Sequence, residues 1–328
     1  MIPRSHRARL GRGARRIVIA LASFVVALEI FYPMKRGKEK ELLLILYSGP
    51  TDLPSSSQVA RVYDSNFRFF LKHALPCSHR VALDWRVQIF ITLTADTSAY
   101  YAPAIARLPR ACGKLQILER KGKCYDMESV RLFLATKFKL LHEKKYKFVY
   151  VNCGMVGPLI PNLENGVVEA YWPELYVGML DKNVKLVGQI INCGGKRNTK
   201  HAHVGSELWA TDAEGLRIIL ESGAVYDCGA DHLTRDARDD LIIRYEMGIS
   251  RAILLSGFMI RAQLSPFTFT KKNFSNHAPS DCVDIWWAPT AELWKHVPDS
   301  LEYPTFAKNS RRSIDKIQKF VVKMNALT

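Results

Sequence analysis

The sequence predicts an α/β protein in which a mostly parallel sheet is flanked by helices. Short, mainly apolar runs recur along the chain; residues 42–47 are apolar throughout, and 85–94 and 147–152 are the next clearest. Stretches with helical spacing of apolar residues, notably 56–75 and 126–145, separate these runs. Strands that are apolar throughout, rather than alternating, are typical of parallel sheets whose two faces are both covered.

The remaining elements follow from the same two patterns. The predicted strands are, in chain order, residues 42–47, 85–94, 114–120, 147–152, 183–194, 206–212 and 282–289. The predicted helices are residues 56–75, 126–145, 212–222 and 239–257. Helix 126–145 has the strongest pattern, with acidic residues in its first turn and lysines at its end. Because we see no linker or repeat, residues 42–307 are expected to form one compact domain.

The positive charge of the chain lies mainly at its two ends. The formal net charge is +16 over 328 residues. Residues 1–40 and 308–323 hold most of this excess, which leaves about +3 for residues 41–307. A nucleic-acid-binding domain usually carries its basic stripe on the fold itself. We therefore expect no nucleic-acid partner, and we predict that residues 308–328 form a basic C-terminal helix.

Residues 17–34 are predicted to be a transmembrane signal anchor, interrupted at Glu29. The apolar residues 17–32 rise about 24 Å, less than the roughly 30 Å hydrocarbon core, so the span needs its flanking basic side chains to snorkel. The positive-inside rule then makes residues 1–16 a cytoplasmic tail and puts the chain in the lumen from a short stem, residues 35–41. A cleaved signal peptide and a soluble cytosolic chain are the alternatives.

Seven cysteines are present, and they form no CxxC pair and no Cys/His cluster. This spacing argues against a zinc site. In an oxidising lumen two or three disulfides could form, and the odd number leaves at least one thiol outside them. Asn273 begins an N-glycosylation sequon, which agrees with a lumenal location.

Several segments occur together in an order that resembles a known family. They resemble the rhamnan synthesis protein F-like glycosyltransferases and their relatives in algae, fungi and plants, over roughly residues 115–265. The segments are CYDMESVRLFL, KFVYVNCGMVGPLIP, VKLVGQIINC, HVGSELWATDAEGLRIIL and YEMGISRAILLSGF. The resemblance implies a GT-A-like, Rossmann-type fold and a transferase that moves a hexose or deoxyhexose from a nucleotide-sugar donor to a glycan or polysaccharide acceptor. With the signal anchor, it implies a single-pass type II protein of the Golgi membrane with a lumenal catalytic domain.

Donor-binding residues are expected where the predicted strands end, because open α/β sheets bind ligands beyond the carboxyl ends of their strands. Gly49 and Gly154 would permit close approach of the backbone to a phosphate or sugar. Arg120 and its neighbour Lys121 could meet a diphosphate, although surface basic residues often have no such role. The amide of Asn152 could bind a sugar hydroxyl.

The sequence at this strand end does not support a DxD-type metal site. Asn152 and Cys153 stand where the related pattern often carries an acid. An amide is a poor lone ligand for Mg²⁺ or Mn²⁺, which prefer carboxylate oxygen. A divalent metal is therefore possible as a cofactor but is not supported, and we predict no metal-binding residue.

Glu246 and Asp126 are the candidate catalytic acids. Glu246 lies inside an apolar helix, where an unpaired carboxylate would be costly. It could act as a base or bind a sugar hydroxyl, or it could simply pair with Arg244 or Arg251. Asp126 opens the long helix and could contact the donor, or it could only cap that helix.

His203 and Trp286 are the candidate acceptor-binding residues, the first because it falls on a histidine-containing segment of the resemblance. A lone histidine is more often structural, and only one tryptophan of the adjacent pair Trp286 and Trp287 could stack on a sugar. Asp212 is expected to cap helix 213–221. The missing acid at the end of strand 147–152 leaves open another class of function. In that alternative the chain is a catalytically inactive, glycosyltransferase-like membrane protein that binds glycans or acts as a scaffold.

Overall fold

The computed structural model describes nine parts of the chain. These are residues 40–78, 85–109, 114–121, 127–137, 145–158, 171–192, 202–224, 239–270 and 307–308. The chain divides into two compact units, Met1–Lys40 and Glu41–Thr328, and all the elements below belong to the second.

The described residues contain twelve strands, and eight of them form one large sheet. The strands are β1 (Glu41–Ser48), β2 (Trp85–Thr94), β3 (Lys114–Arg120), β4 (Tyr146–Asn152), β5 (Met155–Val156), β6 (Val184–Gly188), β7 (Ile191–Asn192), β8 (His203–Val204), β9 (Leu208–Asp212), β10 (Met259–Ala262), β11 (Ser265–Phe269) and β12 (Ala307–Lys308). The order across the large sheet is β11-β10-β6-β9-β4-β1-β2-β3, while β12 pairs with β5 and β7 pairs with β8.

The sheet is mixed but mostly parallel, as the sequence predicted. Strands β1 to β4 run parallel to one another, and β6 and β10 run in the same direction as these four strands. Only β9 and β11 run the opposite way among these eight strands. The α/β class is therefore confirmed.

Helices cover both faces of the sheet. They are α1 (Gln58–His73), α2 (Ala95–Ala106), α3 (Glu128–Lys137), α4 (Glu174–Val177), α5 (Ala213–Glu221) and α6 (Met247–Leu255), with a π-helical segment, Ile242–Glu246, directly before α6. Alternate residues of β1 enter two separate cores. Leu44 belongs to the core that includes residues of α3, α5 and α6, and Ile45 to the core that includes residues of α1, α2 and α4. Burial on both faces is why β1 is a continuous apolar run.

The strand order reverses direction beside β1. The chain moves outward from β1 through β2 to β3 and then returns to place β4 on the other side of β1. In open α/β sheets a crevice forms at such a point, outside the carboxyl ends of the two strands that flank it. The ends of β1 and β4 are therefore the first place to look for a site.

Several predicted elements have the observed bounds or nearly so. Strands 85–94 and 114–120 match β2 and β3, and predicted helix 212–222 corresponds to α5. Predicted strand 183–194 is two strands, β6 and β7, because the chain turns at Gln189 and Ile190. Helix α2 was not predicted; it contains Pro103 and is started by a capping box at Thr94.

Other predictions lie outside the described residues. They are the cytoplasmic tail 1–16, the anchor 17–34, the stem up to residue 39, the strand 282–289 and the C-terminal helix beyond Lys308, which itself lies in β12. Within the described part of the chain, none of the helices is both long enough and apolar enough to span a bilayer.

The start of α5 is fixed by a buried lysine at the end of the sheet opposite the carboxyl ends of β1 and β4. Lys185 Nζ lies 2.8 Å from Asp212 Oδ2 and 3.1 Å from Glu214 Oε2. Asp212 also accepts a hydrogen bond from Gly215 N at 3.0 Å, which confirms it as the helix cap. A Cβ on Gly215 would collide with Thr211 Oγ1 and come within 2.6 Å of the Lys185 carbonyl, so this helix packs directly on the sheet.

Gly215→Ala is expected to lower the free energy of unfolding by about 1–3 kcal/mol, because the added methyl group meets backbone atoms that cannot move aside easily. Gly248→Ala is the matched control, since its Cβ would have no neighbour nearer than 3.6 Å. That substitution should stabilise the protein by about 0.5–1 kcal/mol through helix propensity alone. Urea unfolding of both variants measures the difference, and equal effects would contradict the close packing of α5.

Candidate functional site

Polar residues line up at the carboxyl ends of the central strands. In the register of the sheet, Ser48 of β1 lies opposite Thr92 of β2 on one side and Asn152 of β4 on the other. Two residues further along β2, Thr94 lies opposite Arg120 of β3. All of these residues are buried or nearly so. The end of an otherwise apolar sheet is therefore polar, and we call this row of strand ends the polar edge.

Asn152 is held by its own loop at the polar edge. Its side-chain Oδ1 accepts a hydrogen bond from Gly154 N at 3.0 Å, and its backbone N donates to the Glu207 carbonyl at 2.9 Å. The next residue, Cys153, donates its N–H to the Ser48 carbonyl. The tip of β4 is thus a tight turn with an amide at its centre, and an amide engaged in this way does not suit a hard divalent cation.

Among the residues that the structure describes, no cluster of three or more His, Cys, Asp or Glu side chains could hold a metal ion. We derive no metal-dependent step from this site.

The two glycines of the donor prediction have different surroundings. A Cβ on Gly49 would lie 2.8 Å from the Thr92 carbonyl and 2.6 Å from a Leu93 methyl carbon, so packing against β2 already requires glycine there. A Cβ on Gly154 would meet only the side chain of Asn152, at 3.1 Å. Of the two, Gly154 is the one whose small size is not explained by packing against the sheet.

Arg120 lies beneath the polar edge and not on the surface. Its side chain is 1% exposed, its Nε lies 3.7 Å from Glu128 Oε2, and its Nη1 lies 3.5 Å from Ser48 Oγ. Glu128, in the first turn of α3, also accepts a 3.2 Å bond from the half-exposed Arg131. The three charged groups together carry one net positive charge directly under the carboxyl ends of β1 and β3.

A hydroxyl cluster adjoins this charged group. Ser129 Oγ lies 2.8 Å from Ser48 Oγ and 2.7 Å from Thr92 Oγ1, and all three side chains are buried. The cluster ties the start of α3 to the ends of β1 and β2. It also fixes the hydroxyl that Arg120 contacts, so the guanidinium has a defined position.

Glu246 is linked to the polar edge from the helical side. The residue is 8% exposed and its Oε2 accepts a hydrogen bond from Ser206 Oγ at 2.8 Å. Ser206 precedes Glu207, whose carbonyl accepts the N–H of Asn152. Glu246 is therefore connected to the tip of β4 through these two residues. Of the expected ion-pair partners, Arg244 is exposed and lies over the ring of Tyr245.

His203 is buried away from solvent. It is opposite Asn192 in the β7–β8 pair, and it is 6% exposed. Asp126 and Trp286, the other two predicted site residues, lie outside the described residues. Of the predicted residues, Gly49, Arg120, Asn152 and Gly154 thus lie at or next to the polar edge, and Glu246 is linked to it through Ser206 and Glu207.

Sequence reasoning missed the residues that hold these side chains in place. Glu128, Ser129 and Ser206 each form an ion pair or hydrogen bond with one of the site residues. No sequence pattern marks Ser129 or Ser206. Glu128 carried a usable signal, because it is an acid one turn into a helix that follows a strand ending in arginine.

Tyr47 supports the loop of β4 from below. It is fully buried, and its ring packs on Phe67 and Phe70. Burial, together with the nearby Cys153 thiol, raises the pKa of its phenol well above the usual value. The phenol therefore stays neutral at physiological pH and adds no charge to the site.

Comparison with known proteins gives weak similarities. No protein-family model matches the chain, and no curated protein is similar to it, so the resemblance to rhamnan synthesis protein F-like enzymes stays a prediction. The apo form of mouse xyloside xylosyltransferase 1 superposes with a TM-score of 0.37 and 8% identity, covering 66% of this chain and 82% of that chain. The glycosyltransferase GlyE of Streptococcus pneumoniae TIGR4 superposes with a TM-score of 0.33 and 8% identity, covering 63% of this chain and 44% of GlyE.

Glu128→Gln is expected to destabilise the protein by about 3–5 kcal/mol, because it removes a buried carboxylate charge that lies beside the buried Arg120 guanidinium and also accepts a bond from Arg131. Glu221→Gln is the control, since it breaks a Glu–Arg contact to Arg217 whose two side chains are both more than half exposed. That change should be undetectable in the same urea titration. Equal losses of unfolding free energy in the two variants would show that the buried ion pair stabilises the protein no more than the exposed one does.

Proposed function

We propose that the chain is a nucleotide-sugar-dependent glycosyltransferase with a GT-A-like fold, whose donor and acceptor meet at the polar edge. In this proposal it is a type II membrane protein that transfers a hexose or deoxyhexose to a glycan or polysaccharide acceptor in the secretory lumen. Residues 17–34 anchor it in the lipid bilayer of the Golgi.

One observation carries the proposal. A buried carboxylate, Glu246, is connected through Ser206 and Glu207 to the tip of β4. On the other side of β1, Arg120 and Arg131 share the carboxylate of Glu128, which leaves one net positive charge on that group. Glycosyl transfer needs a positive charge for the departing diphosphate and a carboxylate for the acceptor hydroxyl. The polar edge has both, at the place where the strand order reverses.

The proposed step is a single transfer. The acceptor oxygen forms a bond to the anomeric carbon, and the bond from that carbon to the diphosphate oxygen breaks with its electron pair on the diphosphate. The acceptor proton passes to the Glu246 carboxylate. Arg120 supplies a fixed positive field under the diphosphate, and Gly154 and Asn152 form the loop against which the donor lies.

A disulfide supports the lumenal location. Cys77 is disulfide-bonded, and its partner lies outside the described residues. Disulfides persist in oxidising compartments and are rare in the cytosol. The sequon at Asn273 and the apolar segment 17–34 point to the same compartment.

The second candidate function is a glycan-binding or scaffold protein on an inactive transferase fold. The observation that favours it is the neutral tip of β4, where the Asn152 amide already bonds Gly154. It predicts a folded lumenal domain that binds glycans and is not stabilised by any nucleotide-sugar.

A nucleotide-sugar screen separates the two functions. The purified protein is expected to show a rise in melting temperature with at least one of the UDP-, GDP- and dTDP-sugars, because a ligand that binds only the folded state stabilises it. The screen is run with and without Mn²⁺. Stabilisation by glycans together with no response to any donor would reject the transferase in favour of the scaffold.

Glu246→Gln is expected to lower turnover of that donor by about 10²–10⁴-fold, the usual contribution of a general base. Asp126→Ala should also lower it. Glu221→Gln, on the exposed face of α5, is the control and should behave like the wild type. Full activity in folded Glu246→Gln protein would remove Glu246 from the catalytic step.

Membrane topology is tested separately in cells. The full chain should acquire an endoglycosidase-sensitive glycan at Asn273, and Asn273→Gln should abolish that mobility shift. Carbonate extraction should leave the protein in the membrane pellet. A glycan-free, carbonate-soluble protein would contradict the lumenal, anchored arrangement without bearing on the chemistry.

A further inference from the structure

Hydrogen bonds hold the segment 204–206, before β9, between α6 with its π-helical start and the turn that joins β6 to β7. Val204 N donates to Ser250 Oγ of α6 at 2.9 Å, and Gly205 N donates to the Ile190 carbonyl at 3.2 Å. Ser206 Oγ donates to Glu246 Oε2. Three successive residues are thus each fixed by a bond to a different element or turn.

The space beside Gly205 is limited only by side chains. A Cβ there would lie 2.9 Å from the flexible end of Glu207, at Oε2, and 3.3 Å from Ile190 Cγ1. The backbone around Ser206 is therefore held mainly by the hydrogen bonds of Val204 and Gly205.

A π-helical turn brings Glu246 to this segment. Met247 N donates to the Ile242 carbonyl, five residues earlier, and α6 follows at once. Tyr245, Glu246 and Met247, at the junction of this turn with α6, are all buried. Turns of this kind are frequent at functional sites. Here the turn places an acid among residues that would otherwise pack as apolar core.

We propose that Ser206 is a positioning residue for the Glu246 carboxylate. The inference rests on the proposed function. A carboxylate has about four acceptor positions, and Ser206 occupies one of them. The bond fixes the plane of the carboxylate beside the tip of β4, so that it receives the proton of the acceptor hydroxyl in a defined direction. Ser206 touches no substrate and acts only through Glu246.

A matched pair of substitutions tests this role. Thr and Val have the same shape, but only Thr keeps the hydroxyl. The assay measures release of nucleoside diphosphate from the donor that stabilises the wild type, with water or added monosaccharides as acceptor. Ser206→Thr should keep kcat within about 3-fold of the wild type, whereas Ser206→Val should lower kcat by at least about 10-fold with little change in KM.

Two further measurements exclude a merely structural effect. Both variants should remain folded at the assay temperature, and Ser206→Val should melt somewhat lower than Ser206→Thr, because it removes one hydrogen-bond donor from the buried Glu246 carboxylate. Ser250→Ala removes the neighbouring hydrogen bond from Val204 N without changing Glu246. It should lower kcat less than Ser206→Val does. In the background of Glu246→Gln, replacing Ser206 by Val should have no additional effect, because a positioning residue has nothing left to position.

The outcomes separate the inference from the function on which it rests. If the wild type is active and the Thr and Val variants have equal kcat, the positioning role is wrong and the transferase proposal stands. If the wild type is neither stabilised by any nucleotide-sugar nor releases nucleoside diphosphate from one, both are wrong. A kcat that falls only in the Val variant supports both.

Discussion

The register between β1 and its two parallel neighbours is the constraint on which the rest of the structure depends. Seven of the eight residues of β1 are buried, with alternate side chains in two different cores. A shift of one residue would move each side chain to the opposite face, so the register is strongly fixed. This puts Ser48 opposite both Thr92 and Asn152. The polar edge follows from an apolar packing requirement, which holds the polar residues at the strand ends in one line.

The sequence could predict the parallel half of this sheet because buried parallel strands have a distinctive pattern. Continuous apolar runs of strand length, separated by amphipathic stretches, are typical of a sheet covered by helices on both faces. Strand direction has no such signal. The antiparallel course of β9 is set by its pairing with β4 and β6, which are distant in sequence. Helix α2 was missed for a related reason, since its cap at Thr94 depends on a side-chain contact with Thr97 rather than on apolar periodicity.

The site residues that lie at strand ends could be predicted from the sequence, whereas their ion-pair and hydrogen-bond partners could not. Asn152 and Arg120 follow from their positions at the ends of β4 and β3. The burial of Arg120 does not, because it depends on how α3 covers the strand end and offers Glu128. The Ser206–Glu246 bond joins residues 40 positions apart. The apolar surroundings of Glu246 in the sequence indicated its burial, whereas the π turn had no signal, because it breaks the 3.6-residue period on which helix prediction relies.

The short pairing of β12 with β5 has a consequence for how the crevice forms during synthesis. Ala307 lies opposite Val156, so two segments about 150 residues apart in the chain must meet beside the tip of β4. Strands β1 to β4 can pair while the ribosome is still making later parts of the protein, since domains begin to fold from their N-terminal side. The loop after Asn152 acquires its partner strand only when residues 307 and 308 have emerged. A chain cut short before that point would keep its central strands and lack the pairing that β12 makes with β5 beside the tip of β4.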